Sequence, residues 1–144
     1  MKLITRYTDY AIRALCYIAG HKDIVVSIPA LVKKLEIPKP FLRKILQILN
    51  KKRILKSEKG KGGGFVLAKP ADKIFLMDII EIFQGPFKLN ECLFKKSICP
   101  NVKICPLKQK IDEIEQYAIL KLKPVTISKL ILGSNYGKKK NNKN

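Results

Sequence analysis

Tryptophan is absent, histidine occurs once and cysteine four times, and eleven acidic side chains stand against thirty lysines and arginines, leaving +19 over 144 residues. Each shortage removes a class of function. With His21 as the single imidazole and no paired carboxylates in a plausible cleft, there is no Ser/His/Asp set and no general acid–base pair, so no enzyme is expected. No apolar run approaches the ~18 residues of a membrane span. The opening stretch MKLITRYTDYAIRALCYIAG is interrupted by Arg6, Asp9 and Arg13 before the core of a secretion signal could form, so the expectation is a cytoplasmic protein with no membrane partner. In a reducing compartment, clustered cysteines are metal ligands or reactive thiols more often than disulfides.

Positive charge is what the chain has in excess. Residues 1–84 carry seventeen basic against seven acidic side chains, so the surplus is not confined to the lysine-rich end. Nine of the basic residues fall between 39 and 61, opposed only by Glu58, a density that suits a polyanion. Apolar residues make up 47%, enough for one compact core without staples.

Apolar spacing places these charges on elements. Tyr7, Ala11, Ala14, Leu15 and Ile18 recur at helical intervals and predict a first helix over 7–19. Ser27 as N-cap, a first-turn proline and Ile28, Leu31, Val32 and Leu35 predict a short second helix. A third helix follows from Lys39 to Asn50 with Phe41, Leu42, Ile45, Ile48 and Leu49 expected inside. Lys39, Arg43 and Gln47 then step along its outer face beside Lys44 and Lys51, a stripe that a major groove could accept. Two short helices joined by a tight turn, the second basic, describe a helix-turn-helix. The next segment, RILKSEKGKGGGFVLAKP, predicts a hairpin with strands at Ile54 to Lys56 and Gly64 to Leu67, a wing whose Ser57, Lys59, Lys61 and Gly62 are candidate DNA contacts. A nucleotide-binding loop is the weaker reading of its glycines, since no Gly-Lys-Ser/Thr follows.

The remaining division is equally direct. A short helix, MDIIEIFQG, closes a winged helix-turn-helix domain over 1–84, and a cysteine-rich loop occupies 85–106. Leu107, Ile111, Ile114, Ala118 and Leu122 lie on one stripe of a long helix, read as a dimerisation helix with its C-terminal segment over 107–133. Packing of that stripe back onto its own domain is the alternative. Residues 134–144 have a basic, polar composition expected of a disordered tail. The fold class expected is therefore mainly α with a small β-hairpin.

Cys92, Cys99 and Cys105 are spaced C-x6-C-x5-C, without the C-x2-C pairs of structural zinc sites. Iron–sulfur clusters tolerate wider loops, and Pro100 and Pro106 directly after two of the cysteines match Cys-Pro steps found in cluster loops. Three thiolates leave one ligand unassigned. Cys16, within an apolar helical segment, reads as a small buried hydrophobe, and His21, just past Gly20, as a surface or capping residue.

Three stretches carry a resemblance: MKLITRYTDYAIRALCYIA, IPKPFLRKILQILNKKRILKSEKGKGGGFVLAKPADKI, and the cysteine triad before a long helix. Together they resemble the Rrf-type winged-helix regulators, with IscR-like and NsrR-like branches, over nearly everything except the lysine tail. The resemblance implies a homodimer that binds a double-stranded DNA operator, with repression as the expected mode. It also implies an iron–sulfur cluster, 4Fe-4S ahead of 2Fe-2S, on Cys92, Cys99 and Cys105, through which nitric oxide, redox state or iron–sulfur status is sensed. In the NsrR-like branch the fourth ligand is an aspartate early in helix one of the other subunit, the position of Asp9; PLKQK lacks the histidine of the IscR-like branch. Arg43 and Lys59 stand where IscR-like members carry a glutamate and an arginine, so a different operator is implied. Two alternatives stay open: a winged-helix regulator with structural zinc or redox thiols, and an iron–sulfur electron-transfer protein.

Overall fold

The computed structural model describes residues 2–89 and 103–132. Helix α1 (Arg6–Ala19) starts at Thr5, whose hydroxyl accepts from the Thr8 amide, and Asp9 in its first turn complements the helix dipole. Its buried side is Ala11, Ala14, Leu15 and Ile18, joined by Thr8, Cys16 and Ala19. Three alanines on that side let neighbouring elements approach the backbone closely, and α1 is the element the others pack around.

Helix α2 (Ile28–Leu35) begins as its sequence demands, with the Ser27 hydroxyl accepting from the Ala30 amide at 3.3 Å. It stops where Glu36 turns left-handed at φ 54°, and Ile37, buried in the core, lies in the connection to α3 (Lys39–Lys51). Helix α3 buries Leu42, Ile45, Leu46 and Leu49. Phe41, expected inside, is instead 39% exposed and meets Tyr7 of α1 edge-on, ring centroids 5.7 Å apart. Leu46 takes the interior position because the buried arc of α3 is centred between Leu42 and Leu49, one residue round from where Phe41 lies.

The wing consists of β1 (Leu55–Glu58) and β2 (Gly64–Leu67), antiparallel in the register Leu55↔Leu67, Lys56↔Val66, Ser57↔Phe65 and Glu58↔Gly64. The first strand runs two residues beyond the Lys56 expected, and so includes Ser57. A bridge to Val26 holds β2 to the segment before α2, with both Val26 and Phe65 amides donating across it at 3.0 and 2.9 Å. Gly64 permits this approach, since a Cβ there would sit 2.3 Å from the Val26 carbonyl oxygen.

A single 3-10 turn (Ala71–Lys73) leads into α4 (Leu76–Gln84), and α5 (Pro106–Leu122) is followed by α6 (Ile127–Leu132), a helix the periodicity does not announce. Helix α6 returns to the winged-helix core and packs on α1 and the 3-10 turn. The Ile127 amide donates to the Ile74 carbonyl and the Leu76 amide to the Val125 carbonyl, both at 2.9 Å, and Ile127 is fully buried. A second apolar cluster, Leu76, Ile80 and Phe87, takes Ala118, Ile119 and Leu122 from α5. No helix among the described residues is long and apolar enough to cross a membrane.

Candidate nucleic-acid interface and sensor loop

Once Leu42, Ile45, Leu46 and Leu49 turn inward, helical geometry leaves Lys39, Arg43, Lys44, Gln47 and Lys51 outside, and all five are exposed. The bridge to Val26 then sets the wing beside α3. Between them lies a shallow groove of about 400 Å³ whose walls include Lys39 and Arg43 on one side and Ser57, Glu58 and Gly63 on the other. Ser27 and Pro29 close one end, so the start of α2 also opens onto the groove, a contribution the sequence reading gave only a capping role. A helix N-terminus adds partial positive charge there.

Electrostatics in the groove favour a polyanion. Glu58, the single acid of the stretch, forms a 3.5 Å ion pair with Lys56, whereas Lys39 and Arg43 have no ion pair among the described residues. Lys59, Lys61 and Gly62 are exposed at the wing tip, where Gly60 and Gly62 take φ values of +97° and +77° that side-chain-bearing residues rarely adopt. Lys44 leans away from the groove and sits 5.7 Å from the Tyr7 ring centroid, which leaves Tyr7 and Phe41 as an aromatic link between α1 and α3. Lys51 lies at the far end of α3. Lys39, Arg43 and Ser57 are thus brought to one groove, while Lys44 and Lys51 flank it.

The proposed sensor residues lie on other elements. Cys105 is the N-cap of α5, half-buried, and its thiol makes no capping bond and no disulfide, so the sulfur is available to another partner. Cys92 and Cys99 lie outside the described residues. Asp9 is exposed on α1, its carboxylate 3.9 Å from Arg13, whose guanidinium also donates to the Leu35 carbonyl at 2.7 Å. Among the described residues no three histidine, cysteine or acidic side chains gather into a metal-binding group. Cys16 is 2% exposed, and burial pushes its thiol from the usual value of 9.0 to about 11, the behaviour of an inert core residue. The His21 ring stacks on Tyr17 and donates from Nδ1 to the Tyr17 carbonyl at 2.8 Å, a capping role.

The entrance of the cysteine loop is tied down at two points. The Gln84 side chain, at the end of α4, accepts from the Thr8 hydroxyl at 2.7 Å and the Thr5 amide at 3.1 Å, and donates to the Leu3 carbonyl. Further along, the Leu89 amide donates to the Glu115 carboxylate of α5 at 3.0 Å. The segment that enters the loop is therefore hydrogen-bonded to the start of α1, one turn from Asp9.

The α5 stripe expected to form a dimer divides. Ala118 and Leu122 pack on their own chain, whereas Leu107 and Ile114 are 69% and 58% exposed, with Ile111 between. Tyr117, outside the expected stripe, extends the uncovered face.

Comparison with known proteins decides the family. Residues 4–132 match the Rrf2 family, described as iron-dependent transcriptional regulators. The chain belongs to the Rrf2 family. An Aquifex aeolicus protein named as an HTH-type transcriptional regulator is similar to this Rrf2 chain, 37% identical over 124 residues that span 85% of this chain and 86% of that one. Two solved Rrf2-fold structures share the architecture. CymR, the global cysteine regulator of B. subtilis, superposes with a TM-score of 0.77 at 21% identity, over 93% of this chain and 99% of CymR. T. potens IscR does so with a TM-score of 0.72 at 20% identity, over 92% and 88%. As an Rrf2 protein the chain is a transcriptional regulator, its winged helix the DNA-binding part, in a family whose regulators are typically dimeric.

Proposed function

We propose that this Rrf2 protein is a homodimeric repressor whose hold on operator DNA is set by an iron–sulfur cluster, through which it responds to nitric oxide, redox state or iron–sulfur supply. The DNA half of this reading is carried by the groove that Lys39 and Arg43 line with Ser57, neither basic side chain having an ion pair among the described residues. Arginine at Arg43 can donate two parallel hydrogen bonds to a guanine edge, and the wing-tip lysines neutralise phosphates.

The sensing half rests on the chemistry of the donors. Cys92, Cys99 and Cys105 would hold the cluster with Asp9 of the partner subunit as fourth ligand, and the unengaged Cys105 thiol and exposed Asp9 carboxylate fit those roles. When bound, the group supplies iron that reacts with nitric oxide, oxygen or thiols, most openly where the harder carboxylate holds it. The chain itself supplies the connection to DNA. Cys105 heads α5, Gln84 ties the loop entrance to Thr5 and Thr8, and α1 packs on α3, so restraint of the loop restrains both recognition helices of a dimer.

Metal analysis after anaerobic purification tests this. The expected result is iron with matching acid-labile sulfide and a visible chromophore, both lost in Cys99→Ala and in Cys105→Ala. Stoichiometric zinc, or no metal at all, would contradict cluster sensing and leave a structural-zinc or thiol-based regulator.

A further inference from the structure

A second cavity, unconnected with the residues assigned to DNA or to the cluster, lies where the end of α1, the outgoing wing strand β2 and α6 meet. It measures about 630 Å³, within the ~300–1,000 Å³ typical of small-molecule sites. Ile18, Val66 and Leu67 give it an apolar lining. Lys22, Lys69, Asp72 and Ser128 also line it, bringing two basic residues, one acid and a hydroxyl to the same cavity. Lys22, Lys69 and Asp72 have no ion-pair partner among the described residues. His21 also lines it, and because Nδ1 is committed to the Tyr17 carbonyl, only Nε2 is left for an occupant.

We propose that this cavity is an effector site for a small carboxylate with an apolar body and a hydroxyl or amino donor beside the carboxylate. Two unpaired ammoniums complement a carboxylate, the apolar lining takes a hydrocarbon group, and Asp72 accepts from the neighbouring donor while repelling polyanions such as DNA phosphate. The location gives such a ligand leverage. It would touch the strand that forms the wing and, through Ser128, the helix that follows α5, so one occupant bridges the DNA-reading and dimer-forming ends of the chain.

The test is calorimetric titration of the full chain with 3-phenyllactate and with 2-hydroxy-4-methylpentanoate, alongside 3-phenyllactamide as an uncharged control. Saturable binding at one site per chain is expected, weaker by about tenfold or more for the amide and for Lys22→Gln/Lys69→Gln. Ala68→Trp, which adds an indole at an exposed lining position, should abolish it. Circular dichroism of both variants should match wild type, since all three positions are exposed. Absence of saturable binding of either acid, or equal affinity in the variants or for the amide, would overturn the proposal.

Discussion

Arg43 and Cys16 show how burial sorts functional side chains into different roles. Arg43 is exposed, lacks an ion pair among the described residues and faces the wing across a groove, so its hydrogen-bonding capacity is reserved for an outside partner. Arg43→Ala should weaken operator binding by about 1–3 kcal/mol and relax preference at one base pair, leaving affinity for random duplex nearly unchanged, as competition binding would report. Cys16 is the opposite case. Its thiol ionises near pH 9 in the unfolded chain and near pH 11 in the folded one, so the native state holds the proton longer. Stability from this residue is complete below about pH 9 and is lost as pH rises through about 11, by roughly 2–3 kcal/mol at most. Urea unfolding at about pH 8 and about pH 10.5 should therefore show a steeper loss for wild type than for Cys16→Ala. Equal slopes would place the thiol in a more polar environment than the packing indicates.

At the scale of elements, α1, α2, α3 and the wing were legible because local signals agree with burial. In α2 the Ser27 cap, in α2 and α3 the first-turn proline, and in all three helices the 3.6-residue spacing agree with the observed elements. Helix α6 was not legible, since six residues give too short a period and its stability comes from the Ile127–Ile74 and Leu76–Val125 hydrogen bonds to another part of the chain. Phe41 escaped for a related reason: periodicity defines an apolar arc but not which edge residue a distant Tyr7 will take as partner. The candidate site followed the same rule, with the α3 stripe readable from spacing and the contribution of Ser27 to the groove visible only once β2 is docked on Val26. Helix α5 gives the sharpest element-level prediction, because part of its apolar stripe packs on its own chain and part is exposed. Ile114→Glu should convert the proposed dimer to a folded monomer by analytical ultracentrifugation, since Ile114 is 58% exposed in the single chain. Leu122→Ala should instead lower unfolding stability by about 1–2 kcal/mol while leaving the dimer intact, because Leu122 packs on the cluster of Leu76, Ile80 and Phe87.

For the whole molecule, a charge of +19 guarantees attraction to any duplex, so charge alone cannot be the regulated quantity. What a sensor can alter is the relative placement of two recognition helices, each braced by α1, with the loop entrance hydrogen-bonded through Gln84 to the start of that helix. Specific contacts require both helices in register with successive turns of DNA, whereas phosphate attraction does not. The most direct measurement is the affinity of the anaerobically prepared protein for its footprinted operator, with the cluster present and after its removal, at one fixed salt concentration. The account predicts a difference of about tenfold or more on the operator and none on random duplex DNA of the same length. Equal operator affinity in the two states would contradict it.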